Sequence, residues 1–189
     1  DNSNFRHQRL INLIGEHTDY NDGFVMPAAI DFSTSVTFQT LAEQRIEFYS
    51  ENFKELVVLD LGDLPVGKRG HWSDYVVGVA LMLEQAGHRL TGASLSFISD
   101  VPIGSGLSSS AAIEVATAYA LNIGSNLQID RKELAKLCRK AENEFVGARV
   151  GIMDHFVSLF GEKDKALLLD CRSLDYRLLP LPVSVQLVI

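Results

Sequence analysis

The loop Gly15-Glu16-His17-Thr18-Asp19 sets two carboxylates and an imidazole side by side between two apolar runs, Leu10–Ile14 and Phe24–Ile30. So many acceptors and donors in a few positions suit the vicinal hydroxyls of a sugar; the plainer alternative is a solvated turn. The set does not read as a metal site, because one histidine and two acids at this spacing match no standard ligand pattern. A second stretch, Val101-Pro-Ile-Gly-Ser-Gly-Leu-Ser-Ser-Ser-Ala-Ala112, opens into an alanine-rich apolar segment. Gly104 and Gly106 let the backbone turn and approach a ligand, and Ser108–Ser110 sit where N-cap and first-turn residues belong. Free N–H groups and the positive end of the helix dipole at such a terminus suit a phosphate. A well-capped structural helix is the competing account. No Gly-Lys-Ser/Thr follows the glycines and their spacing is not G-x-G-x-x-G, so this is neither a Walker A loop nor a dinucleotide fingerprint. Two further carboxylates stand out. Asp154 lies in Gly151-Ile-Met-Asp-His-Phe156, a charge at an apolar helix start, either a dipole-favoured terminal acid or a base for a substrate hydroxyl. Glu142, in Ala141-Glu-Asn-Glu144, reads as a solvated helix acid or, with a serine of the phosphate loop, as half of a Mg²⁺ pair.

The composition is that of a soluble globular chain: 189 residues, 47% hydrophobic and 22% charged, with a net charge of −7. The acidic balance argues against a nucleic-acid or anionic-membrane binder, while leaving room for a nucleotide in a local site. No apolar run approaches the ~20 residues of a membrane span. The two cysteines, Cys138 and Cys171, lack metal-ligand spacing and suit a reducing compartment, so a cytoplasmic location is expected.

The elements that must position these residues follow from period and punctuation. Residues 1–8 are polar and aperiodic and are expected to be a loose end. Leu10–Ile14, Ser33–Thr40, Arg45–Ser50, Leu56–Leu61, Ala93–Ser99, Ala166–Asp170 and Val185–Ile189 read as strands. Trp72–Gln85 has helical spacing with Ser73 or Asp74 at its start, and a second helix runs from the serine loop to about Asn122–Gly124. Asp130 should cap a third, Arg131 to about Val146, with Leu134, Leu137, Cys138 and Ala141 on one stripe; a fourth runs from Gly151 through Phe160. Strands concentrate in the first half and helices in the second, which predicts α+β rather than alternating βαβ.

On these residues the chain resembles a known family. Asn12-Leu-Ile-Gly-Glu-His-Thr-Asp-Tyr-Asn-Asp-Gly-Phe-Val-Met-Pro27 is similar to the galactokinase signature of the GHMP small-molecule kinases. Val101–Ala112 resembles that superfamily's phosphate-binding motif, and Gly151–Asp154 and Ala166–Leu174 look like further galactokinase segments. The resemblance implies the GHMP kinase N-terminal domain, related to the second domain of ribosomal protein S5, over residues 1–189. It implies transfer of the γ-phosphoryl of ATP to C1 of galactose, with Mg²⁺. By the same resemblance Glu16, His17, Asp19, Gly151 and Asp154 line the sugar pocket, and Asp154 is the catalytic aspartate beside the C1 hydroxyl. Gly104, Ser105, Gly106, Leu107, Ser108, Ser109 and Ser110 surround the nucleotide phosphates, Trp72 and Tyr75 lie near adenine, and Ser110 and Glu142 hold the metal.

Departures from the family pattern carry expectations too. The family's catalytic arginine lies two residues before the asparagine, where this chain has Leu10; Arg9, three before, is the candidate in its stead. His155 stands where glutamine is usual. The chain is about half the family's length and has no third glycine-rich motif, so the C-terminal domain is expected to be missing and these residues alone to be inactive. Other readings are a non-catalytic galactose- and ATP-binding regulator, a related kinase for another sugar, and an S5-like nucleic-acid binder, which the acidic balance disfavours.

Overall fold

A computed structural model describes residues 3–100, 109–182 and 184, with the side chains of residues 3, 4, 6–9 and 31 outside the described set. Its centre is one long strand. β3 (Pro27–Thr40) pairs antiparallel with β1 (Ser3–Asn12) on one side and with β6 (Ala93–Ser99) on the other. β4 (Arg45–Ser50) pairs parallel with β6 and antiparallel with β5 (Glu55–Asp60), which forms the sheet edge. Beyond the other end of β3, β7 (Lys165–Asp170) pairs with the short β2 (Phe24–Val25) and with β8 (Tyr176–Pro180). Helices α1 (Asp74–Gln85), α2 (Ser109–Gly124), α3 (Arg131–Lys140) and α4 (Met153–Phe160) gather over one face of this sheet. The arrangement is α+β, as the order of elements predicts.

Alternation explains which face is covered. Val36 and Phe38 of β3, Ile46 and Phe48 of β4, and Leu95 and Phe97 of β6 are buried under the helices, each side chain's burial contributing about 1.5–3 kcal/mol. Leu56 and Val58 of β5 and Ile98 of β6 remain exposed, whereas α1 is covered along most of its length. The α3 stripe is buried as its spacing predicts, with Leu134, Leu137, Cys138 and Ala141 all in the core.

The structure corrects several expectations. Residues 3–8 are not a loose end: they form the first part of β1, held by β3, with a register shift at Gln8/Arg9. β1 ends at Asn12, so Leu13 and Ile14 belong to the loop. Asp130 caps α3, accepting from the N–H groups of Lys132 and Glu133, but the α-helix stops at Lys140 and continues as a π-helical turn, Ala141–Val146. Ser73 makes no side-chain cap; Asp74 instead accepts from the N–H groups of Arg69, Gly70 and His71 and so gathers the preceding loop. β8 is a strand the pattern does not announce, being mostly exposed. The strand expected at Val185–Ile189 lies outside the described residues.

Candidate functional site

The sugar-loop candidates are placed by a glycine and a threonine. Gly15 has φ +103°, and a Cβ there would run into the carbonyl of Phe24, so only glycine fits the close approach of loop to β2. The Thr18 hydroxyl lies 2.8 Å from the Gly15 carbonyl and 2.7 Å from that of Phe24, donating its proton between them. This staple turns the exposed Glu16 and His17 outward. Glu16 accepts from the Asn12 amide at 3.2 Å, and His17, at φ +59°, meets the Tyr20 hydroxyl through Nδ1 at 2.6 Å. A left-handed backbone at a non-glycine residue is a local strain that the surrounding bonds must hold.

Asp19, in a single 3₁₀ turn after Thr18, is the residue that joins this loop to the rest of the site. Its carboxylate lies against the Cα of Gly151, in the space a Cβ would fill. Gly151 is buried, and Asp154 stands half-buried in the first turn of α4. Two segments far apart in sequence are thereby packed together, with carboxylates from each at the junction. Gly151→Ala should therefore destabilise the fold by about 1–3 kcal/mol, the cost of overpacking. In the double variant with Asp19→Ala that penalty should largely vanish, because the added methyl then has room. Thermal denaturation of the four proteins checks this, and additive penalties would contradict the juxtaposition.

The turn after β7 closes the same junction. The Cys171 N–H donates to the Gly23 carbonyl, and the Arg172 guanidinium donates to that of Asp22. Burial, then the charges of Asp19, Asp170 and Asp22, push the Cys171 thiol up to about 11, so it is inert at neutral pH.

The second half of the site lies where α2, the π-helical turn and α4 meet. Ser110, in the first turn of α2, lies beside the carboxylate of Glu142, which belongs to the π-helical turn. Such widened turns re-aim a side chain relative to a regular helix. Lys68 holds the end of the turn by donating to the Val146 carbonyl at 2.7 Å. Behind Glu142 sit Glu114 and His155, both fully buried: His155 Nε2 is 2.6 Å from Glu114 Oε2 and 3.3 Å from Glu142 Oε2. Burial opposes the His155 charge, but hydrogen bonds and attraction from both carboxylates outweigh it and raise the imidazole to about 9. Burial pushes Glu114 up to about 8 against the pull of His155. Burial also acts to raise Glu142, yet His155, Ser110 and Glu114 together hold it below the usual carboxylate range. These shifts favour a charged His155, an ionised Glu142 and a proton retained on Glu114. The donor atoms of the three side chains lie within 4.8 Å of one another, and the outer pair, Ser110 with Glu142, offers the oxygens a hard divalent cation takes. Burial and the same two carboxylates hold the Cys138 thiol well above its ordinary value.

Glu114 is the residue sequence reasoning missed. It lies four positions after Ser110 in an alanine-rich helix, the same signal of a charge among apolar neighbours that singled out Asp154. The aromatic candidates part company. Trp72 stacks on Phe53 with ring centroids 5.7 Å apart, meets Phe48 edge-on and donates to Glu55 at 2.9 Å. Tyr75 faces the acid cluster: burial, then Glu142 and Glu114, raise its phenol. Gly104–Ser108 lie outside the described residues; Ser109 and Ser110 open α2. Leu10 is buried in the core, Arg9 pairs with Ile30 beside the register shift, and the Arg9 side chain lies outside the described set.

Comparison with known proteins agrees with both halves of this geometry. The GHMP kinases N terminal domain matches residues 74–162, from α1 to the end of α4. The galactokinase galactose-binding signature matches residues 10–40, from β1 to the end of β3. The fold is that of a GHMP kinase N-terminal domain. In sequence the chain matches galactokinases: it is 47% identical to galactokinase of Roseiflexus sp. (strain RS-1) over 95% of its own residues and 46% of that protein. The crystal structure of Lactococcus lactis galactokinase complexed with galactose superposes with a TM-score of 0.91 at 39% identity, covering 95% of this chain and 47% of that one. Methanococcus jannaschii mevalonate kinase, at 21% identity and a TM-score of 0.76, shares the fold, over 94% of this chain and 55% of that one. The chain thus spans about half the length of the galactokinases it matches. Among the described residues no helix is long and apolar enough to cross a membrane.

Proposed function

We propose that residues 1–189 are the N-terminal domain of a galactokinase, transferring the γ-phosphoryl group of ATP to the C1 hydroxyl of galactose and releasing ADP. The observation that carries this reading is the packing of the Asp19 carboxylate on Gly151, which brings the acidic loop to the helix start bearing Asp154. In this reading Glu16, His17 and Asp19 accept hydrogen bonds from the sugar hydroxyls and fix its orientation. Asp154 accepts the C1 hydroxyl proton as the oxygen bonds to the γ-phosphorus and the bond to the β–γ bridging oxygen breaks. Phosphoryl transfer asks chiefly for such positioning and for neutralised charge. Gly104–Ser110 and the start of α2 would cradle the phosphates, Trp72 and Tyr75 would border the adenine, and Arg9 is the candidate cation near the reacting groups. Ser110 and Glu142 would hold Mg²⁺, which supplies charge neutralisation on the phosphates. ATP as substrate and two free buried cysteines fit a cytoplasmic protein.

A second half of the kind the relatives have would close the cleft and exclude water, on which the strength of these charge interactions depends. The test is a coupled ADP-release assay with galactose, ATP and Mg²⁺, run on this chain alone and on the chain joined to the C-terminal half of its Roseiflexus relative. The expected result is galactose-dependent turnover in the joined protein and none in the chain alone. Turnover with another sugar, or tight galactose binding without turnover, would assign a different kinase or a sugar-sensing regulator instead.

A further inference from the structure

We propose that His155 is a positioning residue for Glu142, aiming that carboxylate at the Ser110 side of the site so that it can take a divalent cation. The proposal rests on the reading of Ser110 and Glu142 as the cation pair. Glu142 lies in a π-helical turn, where the widened backbone leaves its side chain's direction to its neighbours. The neighbours join three elements: Glu114 of α2 meets His155 of α4, His155 meets Glu142, and Ser110, one turn before Glu114, lies on the far side of Glu142. His155 Nε2 carries one proton, and the two carboxylate oxygens it faces are 2.6 and 3.3 Å away. The shorter contact anchors the ring on Glu114; the longer one restrains Glu142 Oε2 and leaves the other carboxylate oxygen outside the His155 contact.

The arrangement is not the one that packing alone would choose. Among the described residues Glu114 Oε1 and His155 Nδ1 are buried without a hydrogen-bond partner, so each forgoes a bond that an apolar residue would not need. His155 also follows Asp154 directly in the first turn of α4. Its anchor on α2 therefore sets where the catalytic candidate stands relative to the cation pair. This is the arrangement in which a partner behind the ligand, not the ligand itself, decides metal affinity.

The test uses the 189-residue chain with Mn²⁺ as the probe cation and a non-hydrolysable ATP analogue, reading Mn²⁺ affinity by electron paramagnetic resonance. His155→Leu should weaken Mn²⁺ binding about 10–100-fold, as loss of a partner behind a metal ligand typically does. His155→Gln, which can still donate a hydrogen bond at similar reach, should regain most of it. Affinity for the analogue in EDTA should be the same in all three, which separates positioning from a general structural fault. If the leucine variant does not fold, His155→Asn, too short to reach Glu142, carries the same expectation. A folded leucine or asparagine variant with unaltered Mn²⁺ affinity would overturn the proposal and leave the cation pair standing. Imidazole nitrogen coupling in the Mn²⁺ spectrum would overturn it differently, making His155 a ligand. A chain that takes up no Mn²⁺ with the analogue would remove both.

Discussion

Replacing Asp154 by asparagine should lower kcat for galactose phosphorylation by about 10²–10⁴-fold, the range a positioned acid–base group contributes. The KM for galactose should move little. Asparagine keeps the size and one acceptor of the side chain, so contacts made equally in the ground state survive. What it cannot do is accept the proton of the attacking hydroxyl. A loss in kcat and kcat/KM together, at constant KM, marks an interaction made only in the transition state. Asp154 is suited to that role by place: it stands in the first turn of α4, three residues from the glycine on which Asp19 packs. Steady-state kinetics on the chain joined to a relative's C-terminal half would measure the effect, and near-normal kcat would take Asp154 out of the chemistry. Asp19→Ala in the same protein should instead weaken galactose binding by the worth of a charged hydrogen bond, about 1.5–3 kcal/mol, with ATP binding nearly unchanged.

The Glu114–His155–Glu142 cluster should make the fold lose stability as the solution becomes alkaline. His155 is raised from 6.5 to about 9, so its contribution is complete below pH 6.5 and is lost as pH climbs through 9. Glu114 is raised from 4.5 to about 8, so the folded state holds a proton that the unfolded chain releases, and stability again falls with rising pH over that span. Glu142, held low, contributes with the opposite sign: its share is present above 4.5 and disappears on acidification. Between pH 6.5 and 9 the first two act together. The loss should be on the order of 5 kcal/mol, Glu114 contributing up to about pH 8 and His155 up to about 9, since each tenfold gain in proton affinity on folding is worth about 1.4 kcal/mol. That corresponds to a drop in melting temperature of about 10–20 °C for a domain of this size. Tyr75 and Cys138 face the same cluster and are raised with it, so each adds to the alkaline loss, with the same sign, only as pH nears its ordinary value of 10.0 or 9.0. The measurement is a series of thermal melts in EDTA. A variant with both His155→Gln and Glu114→Gln should show a much flatter profile, and equal slopes would mean the cluster is not the source.

Much of this protein is written locally in its chain. Alternation along Arg45–Ser50 and Ala93–Ser99 matches β4 and β6, because a strand with one covered face must alternate. The α3 stripe and the Asp130 cap are equally local, each set within a turn or two of helix. The acidic loop, the serine run, Glu142 and Asp154 stand out because a polar or charged residue beside apolar segments is unusual enough to be noticed. What could not be read is what depends on partners distant in sequence. Residues 3–8 and 176–180 have no clear period, yet become strands because β3 and β7 offer them free backbone groups. The end of α3 keeps a helical pattern through Val146, and only the surrounding packing turns its last part into a π-helical turn. Glu114 and His155 are 41 residues apart, and nothing near either one in the chain names the other. The family resemblance and the residues proposed to bind sugar and phosphate were legible in the sequence, because short contiguous motifs carry them. Tertiary structure alone decided that Asp19 rests on Gly151 and that His155 stands between two glutamates. Such pairings form only when the folded chain brings remote segments close enough that burial leaves a charge no partner but the other.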